Sequence, residues 1–145
     1  MTETDVVQHV RRHLETQFPK ECGHCKRSYT SLHDFLLHTK HLGPVMPYDA
    51  EAGDWRPTHP LGIMTFANCE CHNTLVLTSK GMPLPLLWQL LLWARIETLK
   101  RQLTPTALLT ELRERMCREV LSAPTPHSAT PAAPPAQPAA PEPTP

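Results

Sequence analysis

Asn68-Cys69-Glu70-Cys71-His72-Asn73 lies between two runs of strand-forming residues, Leu61 to Ala67 and Thr74 to Thr78, and has the composition of a turn. The reading is a hairpin with two cysteines at its tip. A second pair, Cys22-Gly23-His24-Cys25, sits in a polar stretch from Glu21 to Lys26. Zinc takes four ligands in a tetrahedron, and two cysteines separated by two residues reach one ion because a tight turn brings both thiolates to the same side. Cys22 and Cys25 are therefore half a site.

Around these pairs the pattern is mostly helical. Val6, Val7, Val10, Leu14 and Phe18 recur at helical spacing, which predicts an amphipathic helix over residues 4–17 that Pro19 stops. A second helix is predicted over residues 31–42, with Ser31 as N-cap and Gly43-Pro44 as its stop, followed by a Pro-rich, acidic loop to Pro60. Beyond the hairpin of residues 61–78, a strongly apolar helix over 84–101 precedes a last helix over 105–121. Thr104 caps that helix, Pro105 takes its first position, and Leu108, Leu109, Leu112, Met116 and Val120 form its buried stripe. No internal repeat is apparent, since the two cysteine pairs differ in spacing and surroundings.

The chain has 145 residues and no formal net charge. Residues 122–145 are almost entirely Ser, Ala, Pro and Thr, a composition that cannot bury a core and reads as a disordered tail. Residues 1–121 then form one modest domain of the size that often leans on a metal. The dispersed charges argue against nucleic acid or an anionic membrane as a partner. Leu84 to Ala94 is too short, and too interrupted by Pro85 and Gln89, to span a bilayer. The acidic start, Met1 to Asp5, lacks the features of a secretory signal and places the chain in the cytoplasm, where cysteines read more readily as metal ligands than as disulfides.

Two second halves compete to complete the site of Cys22 and Cys25. Cys22, Cys25, His38 and His41 resemble a two-Cys, two-His zinc finger over residues 22–41, with Tyr29 and Phe35 on that family's two core positions. The histidines are separated by two residues, where the family uses three to five. The positions that would read DNA are Ser31, Asp34 and Leu37, none of them able to grip a guanine as Arg does. Cys69 and Cys71 are the preferred second half, since leaving them unused strands two thiols in a polar turn, whereas histidines sit comfortably on a helix surface. The expected zinc ligands are Cys22, Cys25, Cys69 and Cys71.

The arrangement also resembles a group of small, mostly uncharacterised bacterial zinc modules that show C-x2-C, then F-L-x-x-T-x-x-L-G, then N-C-x-C-x-x-T-L. Here these are Cys22 to Cys25, Phe35 to Gly43, and Asn68 to Leu75. His72 stands where Gly is usual in those modules, which leaves a ligand role open for it. The resemblance implies zinc and a regulatory setting, and it carries no enzymatic activity. A third likeness is to the active-site string of protein disulfide isomerases, Cys22-Gly-His-Cys25-Lys26. In a thioredoxin fold that string follows a buried strand and opens a helix, and neither context is legible around Cys22.

Other candidates read as ordinary structure. His9 and His13, four apart on the first helix, suit a solvated surface, and Cys117 suits a buried, unreactive thiol. Asp49, Glu51 and Asp54 read as a solvated loop. Arg113, Arg115 and Arg118 alternate with Glu111, Glu114 and Glu119, as on a solvated helix face. Trp88 and Trp93 are expected to pack on the zinc module, while the 84–101 helix carries more apolar surface than the core can cover. The expectation is an α+β, zinc-stabilised, non-enzymatic interaction or regulatory protein, with a protein partner or self-association through that helix. The alternatives are a thiol-disulfide redox protein and a nucleic-acid-binding finger.

Overall fold

The computed structural model describes residues 1–48 and 62–123. The chain begins with α1, Glu3–Glu15, whose start is fixed by a reciprocal capping box: Asp5 N–H donates to Thr2 Oγ1 at 3.2 Å and Thr2 N–H donates to Asp5 Oδ2 at 2.7 Å. Val6, Val7 and Leu14 form its buried face. Two short strands, β1 (Lys20–Glu21) and β2 (Ser28–Tyr29), pair antiparallel and hold the first cysteine pair in the loop between them.

Helix α2 is short, Leu32–His38, and begins where Ser31 Oγ accepts from Asp34 N–H. The expected helix over 31–42 is therefore corrected. Thr39 ends it by turning extended, with both its backbone N–H and its hydroxyl donating to Phe35 O. Lys40–Pro47 then runs as β3, through residues 40–42 expected as helix and residues 44–47 expected as loop. Gly43, read as a helix stop, instead has φ +69 within β3, where the register against the next strand shifts between Leu42 and Met46. A positive φ at a β-irregularity suits a residue without Cβ.

Strands β4 (Ile63–Asn68) and β5 (Thr74–Thr78) make the expected hairpin, and with β3 they form an antiparallel sheet of order β3-β4-β5. Gly81, at φ +84, turns the chain into α3, Leu84–Arg101. Gln102 stops α3 in the left-handed conformation, and α4, Pro105–Ser122, starts at Thr104, whose hydroxyl accepts from Ala107 N–H. Helix α4 packs against α1, α2, α3 and β3.

Two buried clusters result. The larger joins Val7, Leu14, Tyr29, Leu32, Phe35, Leu75, Leu77, Met116 and Val120, and it includes Cys22 and Cys69. Phe35 meets Phe18 and Tyr29 edge-on, with ring centroids 5.6 and 5.3 Å apart. The smaller joins Val6, Trp93 and Leu108. Trp93 thus packs between helices rather than on the cysteines, and Trp88 is 60% exposed, which corrects the expectation for both.

The arginines of α4 are more engaged than a solvated face requires. Arg115 donates to Glu3 Oε1 at 2.8 Å, to Thr4 Oγ1 at 2.7 Å and to Glu119 Oε1 at 3.0 Å, while Arg101 pairs with Glu111 and Glu3. These contacts tie the start of α1 to the ends of α3 and α4. Asp49, Glu51 and Asp54 lie outside the described residues, as does residues 124–145 of the expected tail, whereas Ser122 belongs to α4.

Candidate metal centre

Both cysteine pairs sit in turns built alike. In the first, Lys26 N–H donates to Cys22 O at 3.0 Å and Cys22 N–H donates to Arg27 O at 2.8 Å. In the second, His72 N–H donates to Cys69 O at 2.8 Å and Cys69 N–H donates to Asn73 O at 2.9 Å. The residue after the second cysteine is left-handed in each, Lys26 at φ +64 and His72 at φ +68. That reversal brings the two thiols of a pair to the same side of the chain.

The β1–β2 loop and the β4–β5 tip face each other. Their four sulfurs, of Cys22, Cys25, Cys69 and Cys71, all lie within 4.8 Å of one another, with Cys22 Sγ 3.6 Å from Cys71 Sγ and Cys25 Sγ 3.6 Å from Cys69 Sγ. Four sulfurs about 2.3 Å from a central zinc would be about 3.8 Å apart. The arrangement fits such an ion in donor type, number and spacing. Cys22 and Cys69 are buried, Cys71 is half-buried and Cys25 is exposed, so the set spans the core boundary.

Several groups hold these sulfurs from outside. Tyr29, 0% exposed, donates its hydroxyl to Cys69 Sγ at 3.0 Å, and the Asn73 amide donates to Cys22 Sγ at 3.5 Å. Arg27 lies over the Tyr29 ring, 5.3 Å from its centroid, and pairs with Glu70 at 2.6 Å, linking one turn to the other. Tyr29 was legible only as a core aromatic, because its bond to Cys69 crosses 40 residues that local pattern does not connect.

The thiols respond to these donors. The Cys25 N–H, with the His24 N–H and the Asn73 amide, pulls the Cys22 thiol down to about 6 against the effect of burial. Tyr29 first, then the Cys71 N–H, holds Cys69 below the usual thiol range. At Cys25 the Arg27 N–H favours the thiolate but is outweighed by the contacts with Cys71, Cys69 and Cys22 and by desolvation, which push this thiol up to about 12. Charge on some of the sulfurs thus opposes charge on another, and a divalent cation among them removes that opposition.

The other candidates are placed elsewhere. His38 Nδ1, at the end of α2, is 2.8 Å from Asp34 Oδ1 and 3.0 Å from Asp34 O, and His41 Nδ1, on β3, is 3.1 Å from Phe66 O. Among the described residues, the group of ligand atoms close enough for one ion comprises the four cysteines without either histidine. His72 is exposed and stands outside this group, its left-handed backbone explaining why a glycine suits the position. Ser31 and Asp34 are occupied in capping α2, Asp34 Oδ2 accepting from Thr30 N–H at 3.0 Å. Cys117 is half-buried on α4, and burial pushes its thiol up, as suits an inert thiol. His13 departs from the solvated surface expected of it, because its Nε2 is buried.

Comparison with known proteins finds no matching protein family, no matching curated protein and no matching solved structure.

Two outcomes follow from this geometry. Tyr29→Phe keeps the ring in the core and removes the donor to Cys69, so the affinity of the four-sulfur set for a metal ion should fall by about tenfold or more with little loss of helix signal; competition against a chromogenic chelator measures it, and unchanged affinity would reduce Tyr29 to packing. His72→Gly relieves a left-handed side-chain residue, so the metal-loaded protein should gain about 1 kcal/mol in urea unfolding and keep its full metal content.

Proposed function

We propose that this protein is a non-enzymatic, zinc-binding interaction module, in which Cys22, Cys25, Cys69 and Cys71 hold one structural zinc ion. The observation that carries the reading is the convergence of four sulfurs from two distant turns into a set of tetrahedral size, two of them within the hydrophobic core. Four thiolates close the coordination sphere of zinc and leave no position for a substrate or an activated water, which favours a structural over a catalytic ion. The soft, all-sulfur set favours zinc over the hard cations that oxygen ligands select.

Helix α3 supplies the surface. Leu87 and Trp93 face inward, whereas Leu84, Trp88, Leu92, Ile96 and Leu99 recur every three or four residues on its outer side, with Leu92 62% and Leu99 81% exposed. An apolar stripe of five large side chains on one helix face is the pattern of a surface that meets another helix or a groove. No helix of the described residues is long and apolar enough to cross a membrane. The stripe therefore favours a protein partner or a second copy of the chain.

The use of Cys22 and Cys25 as a redox dithiol has the lowered Cys22 thiol in its favour. Against it, the string lies in the β1–β2 loop rather than opening a helix, and two further sulfurs crowd it. The finger reading loses its ligand histidines to the positions described above.

For the reduced protein, native mass spectrometry should find one zinc per chain, absent from the Cys69→Ala, Cys71→Ala double variant. Stripping the ion should unfold much of the domain by circular dichroism, since binding worth on the order of 10 kcal/mol is then part of the folding free energy. An unchanged spectrum after chelation would sink the structural role. The unaltered chain is expected to associate with rising concentration in light scattering, and replacing Trp88 and Leu92 together with Glu should abolish that association while leaving zinc content and unfolding midpoint nearly unchanged; equal association by both proteins would exonerate α3.

A further inference from the structure

Helix α3 has α4 as its main support and carries its outer apolar side chains in one row. Leu84, Trp88, Leu92 and Ile96 follow one another at every fourth residue, so they stand on a single ridge inclined to the helix axis, and Leu99 extends it by one further step. The surface is convex, a ridge rather than a groove. Ridges of this class interlock with one another at about 50° between helix axes, and a second copy of the chain presents a matching one.

The ridge also reads nearly the same in both directions. From Leu92, large exposed apolar side chains lie four and eight residues toward the N-terminus, at Trp88 and Leu84, and four and seven toward the C-terminus, at Ile96 and Leu99. A surface that meets its own copy across a two-fold axis must be self-complementary in this way, whereas one that meets an unrelated partner need not be.

Charge sets the direction of the crossing. The helix has no charged residue from Leu84 to Ala94, while Arg95, Lys100 and Arg101 crowd its C-terminal part beside Glu97. Arg95 is exposed and makes no ion pair among the described residues, so in a parallel pair about Leu92 it would face its own copy. Antiparallel copies shift the two Arg95 positions apart by about 9 Å along the helices, and the two Lys100 positions by about 24 Å. The exposed parts of the five apolar side chains amount to about 600 Å² per copy, so a pair buries up to about 1,200 Å², which reaches the range of specific interfaces. Trp88 is of the residue type that most often anchors such a contact.

We infer that α3 is a homodimerisation element, in which two copies cross antiparallel with Leu92 on Leu92 at a two-fold axis and Trp88 against Ile96 of the second copy. The inference rests on the reading of α3 as the interaction surface and names its partner as the chain itself.

The test uses the zinc-loaded full chain with Cys117→Ser, whose behaviour under oxidised glutathione is the baseline for added cysteines. Sedimentation should show this parent as a dimer at about 200 µM. Leu92→Cys should cross-link to itself. Trp88→Cys and Ile96→Cys should cross-link in a mixture at least about fivefold more than either does alone, because a disulfide needs its two backbones close together. Should the loss of the Trp88 ring weaken the pair, a mixture of Leu84→Cys and Leu99→Cys reads the same orientation with the ring in place. The inference is overturned if the parent sediments as a monomer, if Leu92→Cys links no more than the baseline, or if the cysteines link to themselves as readily as in both mixtures, which is the mark of a parallel pair. Zinc content, measured on the same samples, keeps the two readings apart: a zinc-free dimer upholds the pairing and sinks the metal, and a zinc-loaded monomer does the reverse.

Discussion

The approach of four sulfurs from two separate turns is the constraint on which the remaining structure depends. Thiolates at these separations repel, and in a chain of this size the repulsion has little spare stability to draw on. Here the groups that would repel are built into the core itself: Cys22 and Cys69 pack with Tyr29, Phe35 and Leu75, so the β1–β2 loop cannot leave the β4–β5 tip without opening the main hydrophobic cluster. Under the zinc reading, ion and core are one cooperative unit. The Tyr29 hydroxyl makes the same point from the other side, since the aromatic ring that fills the core also supplies a donor to one sulfur.

Helix α4 is the second organising element. It touches all three other helices and the sheet, and its Arg115 reaches Glu3 and Thr4 at the opposite end of the chain. Helix α3, by contrast, is held chiefly by α4 and keeps an uncovered apolar side. The domain therefore has a cysteine-bearing half packed around a continuous core and a helical half with surface to spare. An empty space lies along the seam between them.

Much of this was legible because the signals were local. The spacing of each cysteine pair, the strand runs beside Asn68 to Asn73, and the Thr104-Pro105 start of α4 are all short-range patterns whose physics does not need the rest of the chain. Strand β3 was not legible, since Gly43, Pro44 and Pro47 are poor strand formers and the segment is extended because β4 needs a neighbour on that edge. The 31–42 segment read as one helix because Ser31 and Gly43-Pro44 offered a start and a stop signal, whereas Thr39 breaks it through bonds to Phe35. The burial of His13 Nε2, the different fates of Trp88 and Trp93, and the contact of Tyr29 with Cys69 all depend on where other elements land. Pairing the cysteines across the chain was inferable by elimination; the donors that steady them were not.

The order in which these parts occur along the chain has a consequence for biosynthesis. All four sulfurs lie between residues 22 and 71, whereas α3 and α4 begin at Leu84 and Pro105. On a ribosome, where the N-terminal portion emerges first, the ligand set is complete before either long helix has been translated. An ion captured at that stage would tether the two turns early, and the arrival of α4 would then bury a knot already tied. Under the zinc reading, supply of the metal would thus act on the nascent chain, and starvation for it would be felt as a fault of maturation before it was felt as a loss from finished protein.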